Sequence, residues 1–251
     1  MKVVKDTVAV GYCYGQEVAS GFCNSLAGLL AHELTAGSHL RTLLPVYSGV
    51  NISSGRNEIV EQFLAGDAEW LLMLDADMTF DRFLVERLVN AADVDDAPIV
   101  GALAFGVNDG ELFPTLYSMV EEDGGPQTIR FLDFPEDELF QVVGTGAACV
   151  LIHRRVLEAV AAKQFSQAYP WFQEGEIRGS RVGEDMTFML RAGQLGFPVF
   201  VHTGITVGHQ KSYVLTADMY RSQRQFQLAM RAVEESQASR HTPAMETRGT
   251  R

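Results

Sequence analysis

The sequence predicts an α/β protein whose central sheet is mixed but mostly parallel and is flanked by helices. Two observations lead to this fold class. Up to residue 105, short apolar runs rich in β-branched residues alternate with longer segments whose apolar residues recur at helical spacing, which is typical of parallel strands joined by helices. After that residue, two β-rich runs flank a turn of Gly, Asp, Glu and Pro, which indicates antiparallel strands.

The first half of the chain is predicted to form strands that each lead into a helix. The strands cover 7–12, 41–47 and 70–75, the helices cover 17–34, 58–64 and 83–92, and a further strand covers 98–105. Between the second strand and its helix, turn and capping residues predict a loop over 51–57. Ligands bind at the carboxyl ends of the strands in a sheet of this kind.

The second half is predicted to add antiparallel strands and two more helices. Within the run 139–152, Gly144 and Gly146 indicate a bulge or a place where a ligand approaches the backbone. The other expected elements are strands at 112–119 and 128–132 around a turn at 121–126, a helix at 156–163, a polar and aromatic loop at 165–183, a helix at 184–192, and short strands at 198–201 and 205–207.

We expect one large domain over 1–215, a C-terminal helix over 216–235 that packs on it, and a disordered tail over 236–251. The tail has almost no large apolar residues and therefore little to bury. The helix is predicted from apolar residues at helical spacing, namely Met219, Phe226, Met230 and Val233.

Composition excludes several classes of protein. With 251 residues, 47% of them hydrophobic, the chain is long enough to bury a full core. A formal net charge of −12 disfavours binding to nucleic acid, which depends on Lys and Arg that neutralise phosphates. The longest apolar runs have the length of a strand, so we expect no membrane span, and because the first residues lack a signal-peptide core we expect a cytoplasmic protein. Three cysteines without paired spacing suit neither a disulfide framework nor a zinc site.

The strongest functional signal is the end of the third predicted strand, where Asp75 and Asp77 are separated by one residue. Alternation along a strand would send both carboxylates to the same face, where oxygen ligands can hold a divalent cation that also binds phosphate. Such a cation would allow an acidic protein to bind an anionic ligand. The alternative is that the pair caps the next helix or faces solvent.

Two later segments carry further candidate residues. Glu184 and Asp185 precede a helix, where acids either cap the helix or serve as a general base for an acceptor hydroxyl. His209 follows the last predicted strand and could complete a Mn²⁺ coordination shell begun by the two aspartates. Lys211 could contact diphosphate oxygens, or it could be solvated.

These segments, together with Ser53, Arg56 and Asn57, resemble the GT-A glycosyltransferases over residues 7–211, especially the family 2-like and the mannosylglycerate-synthase or polypeptide GalNAc-transferase-like branches. The resemblance implies a Rossmann-like GT-A fold, a nucleotide-sugar donor and a Mn²⁺ or Mg²⁺ cofactor. It implies that Asp75, Asp77 and His209 bind the metal. It also implies that the donor is bound by Gly11, Tyr12, Arg56, Asn57, Asp75, Ala76, Gly144, Gly146 and Lys211.

In the family 2-like inverting enzymes, an acid pair before a helix supplies the catalytic base, so the resemblance implies Glu184 and Asp185 as catalytic residues, with Asp185 as the base. The acceptor-side motif Gln-x-x-Arg-Trp of that family is absent, and only the segment 223–226 is faintly similar. Inverting and retaining chemistry therefore both stay open. Trp171 and Phe172 are interpreted either as a surface that stacks on an acceptor sugar or as loop anchors.

The sequence thus predicts a metal-dependent enzyme that moves a sugar from a UDP- or GDP-sugar to an acceptor hydroxyl. A haloacid-dehalogenase-like phosphatase, with Asp75 as the nucleophile, is the first alternative. A noncatalytic module that binds a nucleotide sugar or a carbohydrate is the second. The acceptor, whether protein, glycan or small molecule, and the oligomeric state stay open.

Overall fold

A computed structural model describes residues 2–36, 39–108, 110–122, 125–177, 179–212 and 214–240. The chain divides into two compact units, Met1–Gln210 and Lys211–Arg251. In chain order, the first unit contains β1 (Val4–Tyr14), α1 (Ser20–Ala36), β2 (Leu40–Tyr47), α2 (Ile52–Ala65), β3 (Ala68–Asp75), β4 (Met78–Thr79), α3 (Leu84–Ala91), β5 (Ile99–Leu103), β6 (Phe105–Asn108), β7 (Glu111–Pro114), β8 (Leu116–Glu122), β9 (Gly125–Arg130), β10 (Leu139–Val142), β11 (Gly144–Thr145), β12 (Cys149–His153), α4 (Arg154–Lys163), β13 (Gly175–Ile177), β14 (Ser180–Val182), α5 (Glu184–Gln194), β15 (Val199–Thr206) and β16 (Gly208–His209).

The central sheet has seven strands in the order β10-β15-β5-β12-β3-β1-β2. Strands β2, β1, β3, β5 and β15 run in one direction, whereas β12 and β10 run antiparallel to their neighbours. The predicted α/β class with a mixed, mostly parallel sheet is therefore confirmed. A smaller sheet of β11, β8 and β9 adds the antiparallel strands that the second half of the sequence predicts.

Helices cover both faces of the sheet, and β3 shows why its sequence is continuously apolar. Leu71 and Met73 face one buried cluster, and Trp70, Leu72 and Leu74 face the other. A strand that is buried on both faces needs apolar residues at every position rather than at alternate ones. The polar residue that ends this run, and those that follow it, consequently lie where the strand leaves the core.

Helix α2 differs from its prediction, because it begins at Ile52 and includes most of the predicted loop 51–57. The Asn51 side chain accepts a hydrogen bond from the Ser54 backbone N–H at 3.0 Å and so caps the helix. Gly55 lets the helix approach β1, because a Cβ there would lie 2.7 Å from Cys13 Sγ. As a result, the residues that follow Gly55 are helical and buried instead of forming a surface loop.

The predicted strand 139–152 also differs, because it divides into β10, β11 and β12, which belong to two sheets. The backbone leaves the central sheet after Val142, pairs with β8 through Gly144 and Thr145, and returns at Cys149. In contrast, the two short strands predicted over 198–207 form one strand, β15.

The second unit contains α6 (Ala217–Arg240), which continues five residues beyond the predicted end at 235. Gln, Ala and Arg in this extension are good helix formers, which explains why the helix does not end with its last apolar residue. The first residues of the predicted disordered tail are thus helical, and residues 241–251 lie outside the described part of the chain. Within the described residues, no helix is both long and apolar enough to cross a membrane.

Candidate active site

A pocket of about 310 Å³ lies at the carboxyl ends of β1 and β3. Cys13 and Asp75 are partners in the register of these strands, which explains why the pocket has residues of both strands in its wall. Burial raises the pKa of Cys13 to about 11, so its thiol is neutral at physiological pH. The pocket is lined by Cys13, Tyr14, Gly15, Glu17, Ala19, Ser48, Ile52, Asp75, Ala76 and Asp77.

Asp77 and His209, two of the predicted metal ligands, meet at this end of the sheet. The short strands β4 and β16 pair in antiparallel fashion and bring His209 opposite Met78, next to Asp77. His209 Nε2 lies 3.0 Å from Asp77 Oδ2, and the two side chains are 21% and 36% exposed. Gln210 strengthens this connection, since its backbone N–H donates to the Asp77 carbonyl at 2.8 Å.

The hydrogen bonds of His209 fit a metal ligand. Its Nδ1 lies 3.0 Å from the Phe105 carbonyl oxygen, and because a carbonyl can only accept, Nδ1 carries the proton. In the neutral imidazole, Nε2 then directs a lone pair at Asp77 Oδ2, and two acceptors in contact need a cation or a proton between them. Metal-bound histidines characteristically donate their other N–H to a carbonyl or carboxylate.

Asp75 has a different environment from Asp77. Arg56 Nη2 donates to Asp75 Oδ1 at 2.7 Å, and Arg56 Nη1 donates to Glu184 Oε1. The Arg56 side chain is 6% exposed; burial lowers its pKa, but the two carboxylates raise it more, so the net pKa is raised and Arg56 is charged. Among the described residues, no three His, Cys, Asp or Glu side chains converge on one point, so Asp75 does not join Asp77 and His209.

Glu184 and Asp185 begin α5, as predicted, but they have different partners. Glu184 pairs with Arg56; burial raises its pKa, and the charge of Arg56 only partly offsets that rise. Asp185 Oδ1 accepts the Met186 backbone N–H at 2.7 Å, so this acid also satisfies an N–H of the first turn of its own helix. Asp185 Oδ2 borders Gly146, where a Cβ would lie 3.6 Å from it.

Three residues predicted to bind the donor have structural roles. A Cβ on Gly11 would lie 2.3 Å from Ile59 Cγ2, so this glycine permits close packing of α2 on β1. Tyr12 packs edge-on against Phe22 at a ring distance of 5.1 Å. Neither residue lines the pocket, which begins one residue later, at Cys13.

Asn57, the third of these residues, fixes the loop before β13. Its side chain is 4% exposed and donates to the Phe172 carbonyl at 2.7 Å, while its oxygen accepts the Trp171 N–H at 3.2 Å. Trp171 and Phe172 are themselves buried, and Phe172 stacks on Phe188 at 4.8 Å. These aromatic residues are therefore loop anchors, and the interpretation as a sugar-stacking surface is wrong.

The two predicted glycines of the segment 144–146 differ in role. A Cβ on Gly144 would lie 2.6 Å from Met186 Sδ, so Gly144 allows α5 to pack against β11 rather than a ligand to approach. Gly146 borders Asp185, and its contact with the donor stays a prediction. Lys211 is the first residue of the second unit, and its contact with diphosphate stays a prediction.

The sequence did not single out several pocket residues. Ser48 and Ile52 follow β2, and Glu17 and Ala19 lie in the loop that connects β1 with α1. Their common signal is position, because each follows a predicted strand whose carboxyl end faces the same edge of the sheet as Asp75. Assigning them to the pocket required the register of β1 with β2 and β3, which cannot be derived from the sequence.

Comparison with known proteins gives the fold. No protein-family model and no curated protein matches the sequence. Among solved structures, GalNAc-T7 with UDP, GalNAc and Mn²⁺ is similar with a TM-score of 0.53 and 13% identity, over 81% of this chain and 43% of that chain. A weaker similarity, with a TM-score of 0.47 and 12% identity, is to S. aureus TarS 1-349, over 81% of this chain and 60% of that chain.

The similarity to GalNAc-T7 concerns the fold, since at this identity residue roles do not transfer, and the chain spans less than half of that protein. It agrees with the mixed, mostly parallel central sheet. The chain has a GT-A-like fold.

Proposed function

We propose that this protein is a metal-dependent glycosyltransferase that transfers a sugar from a nucleoside-diphosphate sugar, with UDP or GDP as the nucleotide, to an acceptor hydroxyl. The observation that carries the proposal is the pairing of Asp77 with His209 beside the pocket at the carboxyl ends of β1 and β3. GalNAc-T7, which has a similar fold, was crystallised with UDP, GalNAc and Mn²⁺.

In this proposal, Asp77 and His209 hold Mn²⁺ or Mg²⁺. Carboxylate and imidazole are ligands that suit Mn²⁺, and the fixed Nδ1–H of His209 leaves Nε2 for the cation. When bound, the ion neutralises the charge that develops on the departing nucleoside diphosphate. Asp75 bonds to Arg56, and we assign it to the pocket wall rather than to the coordination shell.

The acceptor side of the reaction belongs to Asp185. Its Oδ2 borders the space over Gly146, and Glu184 next to it bonds to Arg56. If the enzyme inverts, Asp185 takes the proton of the acceptor hydroxyl as this oxygen attacks the anomeric carbon of the donor. If the enzyme retains, Asp185 orients the donor sugar. Lys211 is an additional candidate for the diphosphate.

The direct test uses purified protein with UDP, GDP, UDP-glucose and GDP-mannose as probes. We expect one nucleotide to raise the melting temperature by about 5–10 °C near saturation with Mn²⁺ and not with EDTA, because ligand binding to the folded state stabilises it. The matching sugar nucleotide should be hydrolysed slowly without an acceptor. Asp67→Asn is the matched control for the Asp75→Asn variant used below, since Asp67 is a partly exposed aspartate that pairs with Arg41 away from the pocket lining.

Other outcomes identify the alternatives. Release of phosphate from p-nitrophenyl phosphate, lost in Asp75→Asn and independent of any sugar nucleotide, would indicate the phosphatase. Metal-dependent binding of a sugar nucleotide with neither transfer nor hydrolysis would indicate the noncatalytic module. Absence of any nucleotide-dependent shift would contradict the proposal itself.

A further inference from the structure

Arg56 joins the two sides of the candidate site. It comes from α2, and its two terminal nitrogens bond to Asp75 at the end of β3 and to Glu184 at the start of α5. The three elements also share one buried apolar cluster, and among the described residues Arg56 adds the side-chain hydrogen bonds that join the acid of the donor pocket to the acid pair of α5. The planar fork of arginine can bind two carboxylates in a fixed geometry, which a lysine ammonium cannot.

The environment holds the guanidinium firmly in place. The Arg56 side chain is 6% exposed, and its guanidinium carbon lies 5.9 Å from the centre of the Phe172 ring. The next residue, Asn57, bonds to the backbone at both Trp171 and Phe172. The backbone that carries Arg56 is therefore fixed to the loop before α5, and the side chain has little freedom to leave its two partners.

The charges around Glu184 explain why this arrangement needs an arginine. Glu184 faces Arg56 from α2, Asp75 from β3, and Asp185 from its own helix. Two negative charges would repel it if the cation were absent, and burial also disfavours its ionised form. Arg56 partly offsets both effects, and it makes no hydrogen bond of this kind with Asp185, whose hydrogen bond goes to Met186.

We propose, building on the glycosyltransferase function above, that Arg56 is a positioning residue that holds Asp75 and Glu184 in register, so that Asp185 alone of the α5 acids serves the acceptor. Glu184 is then the partner of Arg56 and not the catalytic base. This role differs from donor binding, which the sequence resemblance implies for Arg56, because both terminal nitrogens are bound to protein and the side chain offers little surface to a ligand.

The first test separates positioning from donor binding through kinetics. With the sugar nucleotide that the wild type hydrolyses, Arg56→Met should lower kcat about 100-fold and change the donor KM less than about 3-fold, as expected for misplaced groups. Arg56→Lys keeps the charge but not the fork and should recover part of kcat. Arg41→Met, which removes the exposed pair with Asp67, is the control and should retain wild-type kinetics. A rise in KM without a fall in kcat would overturn the positioning role.

The second test requires neither enzymatic activity nor a highly stable Arg56→Met variant. Protein with ¹³C-labelled Glu side chains is titrated by NMR, and the Glu184 signal is assigned by its loss in Glu184→Gln. The midpoint should rise by about one pH unit in Arg56→Met, rise less in Arg56→Lys, which keeps the positive charge, and stay unchanged in Arg41→Met. An unchanged midpoint in the Arg56 variants would overturn the proposal.

The two tests distinguish the two proposals from each other. If the wild type hydrolyses no sugar nucleotide but the Glu184 midpoint moves as expected, the glycosyltransferase function fails while the electrostatic link from Arg56 to Glu184 stands. If hydrolysis occurs, Glu184→Gln should retain at least about a tenth of kcat, because removal of one arm of the bridge leaves the base in place. A complete loss of turnover in Glu184→Gln would make Glu184 the base and contradict the assignment.

Discussion

The two aspartates of the Asp-x-Asp segment differ more than their spacing indicates. Asp75 still belongs to β3 and bonds to a buried arginine that also binds α5, whereas Asp77 has left the strand and meets His209 of β16. Asp75 therefore balances a buried positive charge, whereas Asp77 Oδ2 lies 3.0 Å from His209 Nε2. The comparison teaches that acids two residues apart share a face only while the backbone stays extended.

The largest effect is expected at Asp185, the residue that we assign to the acceptor and that follows Glu184, the partner of Arg56. Asp185→Asn should lower sugar transfer or donor hydrolysis about 1,000-fold if Asp185 is the general base, with nucleotide-induced thermal stabilisation unchanged. Glu176→Gln on the β13–β14 hairpin is a control with the same loss of charge. Undiminished turnover in Asp185→Asn would remove Asp185 from the mechanism.

The proposed metal role of Asp77 can be tested through its partner, His209. His209→Ala should weaken Mn²⁺-dependent donor binding about 10- to 100-fold, because it removes a ligand together with the hydrogen bond that orients it. His39→Ala is a close control, since His39 Nδ1 also bonds to a backbone carbonyl, that of Asp6, at 2.8 Å. Equal Mn²⁺ dependence in His209→Ala and the wild type, measured by calorimetry, would contradict a metal role for this side.

The bond between Arg56 and Glu184 also depends on how closely α5 approaches β11. Gly144→Ala should reduce the free energy of unfolding by about 1 kcal/mol, because its Cβ would force the flexible end of Met186 to move and would crowd Met189 Cβ at 3.2 Å. Gly146→Ala should change stability by less than about 0.5 kcal/mol, since its Cβ would make ordinary contacts. Urea unfolding of both variants measures the difference, and equal losses would show that α5 can move without cost.

The smallest effect concerns pH. Because the pKa of Glu184 is raised in the folded state, its proton binds more tightly there than in the unfolded chain. Its contribution to stability is therefore complete below the unfolded pKa and is lost as the pH rises through the folded pKa. Wild-type protein should gain stability relative to Glu184→Gln as the pH falls through this range. Urea midpoints from pH 7 down to pH 4 measure the difference, and parallel profiles would contradict it.

The sequence predicted the fold class well because apolar periodicity directly reports which faces are buried. The apolar run before Asp75 predicted a strand, and the structure has that strand, β3, buried on both faces. The loop predicted over 51–57 failed because Ser and Gly residues, which usually disfavour helices, are here placed behind an Asn cap and beside β1. Local propensity was overridden by tertiary packing.

The candidate site could be predicted only in part, because tertiary packing also decides which of its residues meet. The short distance between Asp77 and His209 agrees with the predicted grouping, which rested on their positions after predicted strands, on the ligand preference of Mn²⁺ and on the family resemblance. The bond from Arg56 to Glu184 joins residues 128 positions apart, and neither residue type nor spacing predicts it. Gly11 and Gly144 look like ligand-contact glycines in sequence, but their neighbours are side chains of packed helices, and only coordinates distinguish the two uses.

The most direct measurement of the central claim is calorimetric titration of Mn²⁺, in the presence of UDP or GDP, into wild type, Asp77→Asn and Asp75→Asn. We predict that Asp77→Asn weakens Mn²⁺ binding at least about 10-fold, equivalent to about 1.4 kcal/mol, and that Asp75→Asn stays within about 3-fold of the wild type. An equal loss of Mn²⁺ affinity in both variants would show that Asp75 is a metal ligand as important as Asp77. No loss of affinity in Asp77→Asn would contradict a cation between Asp77 and His209.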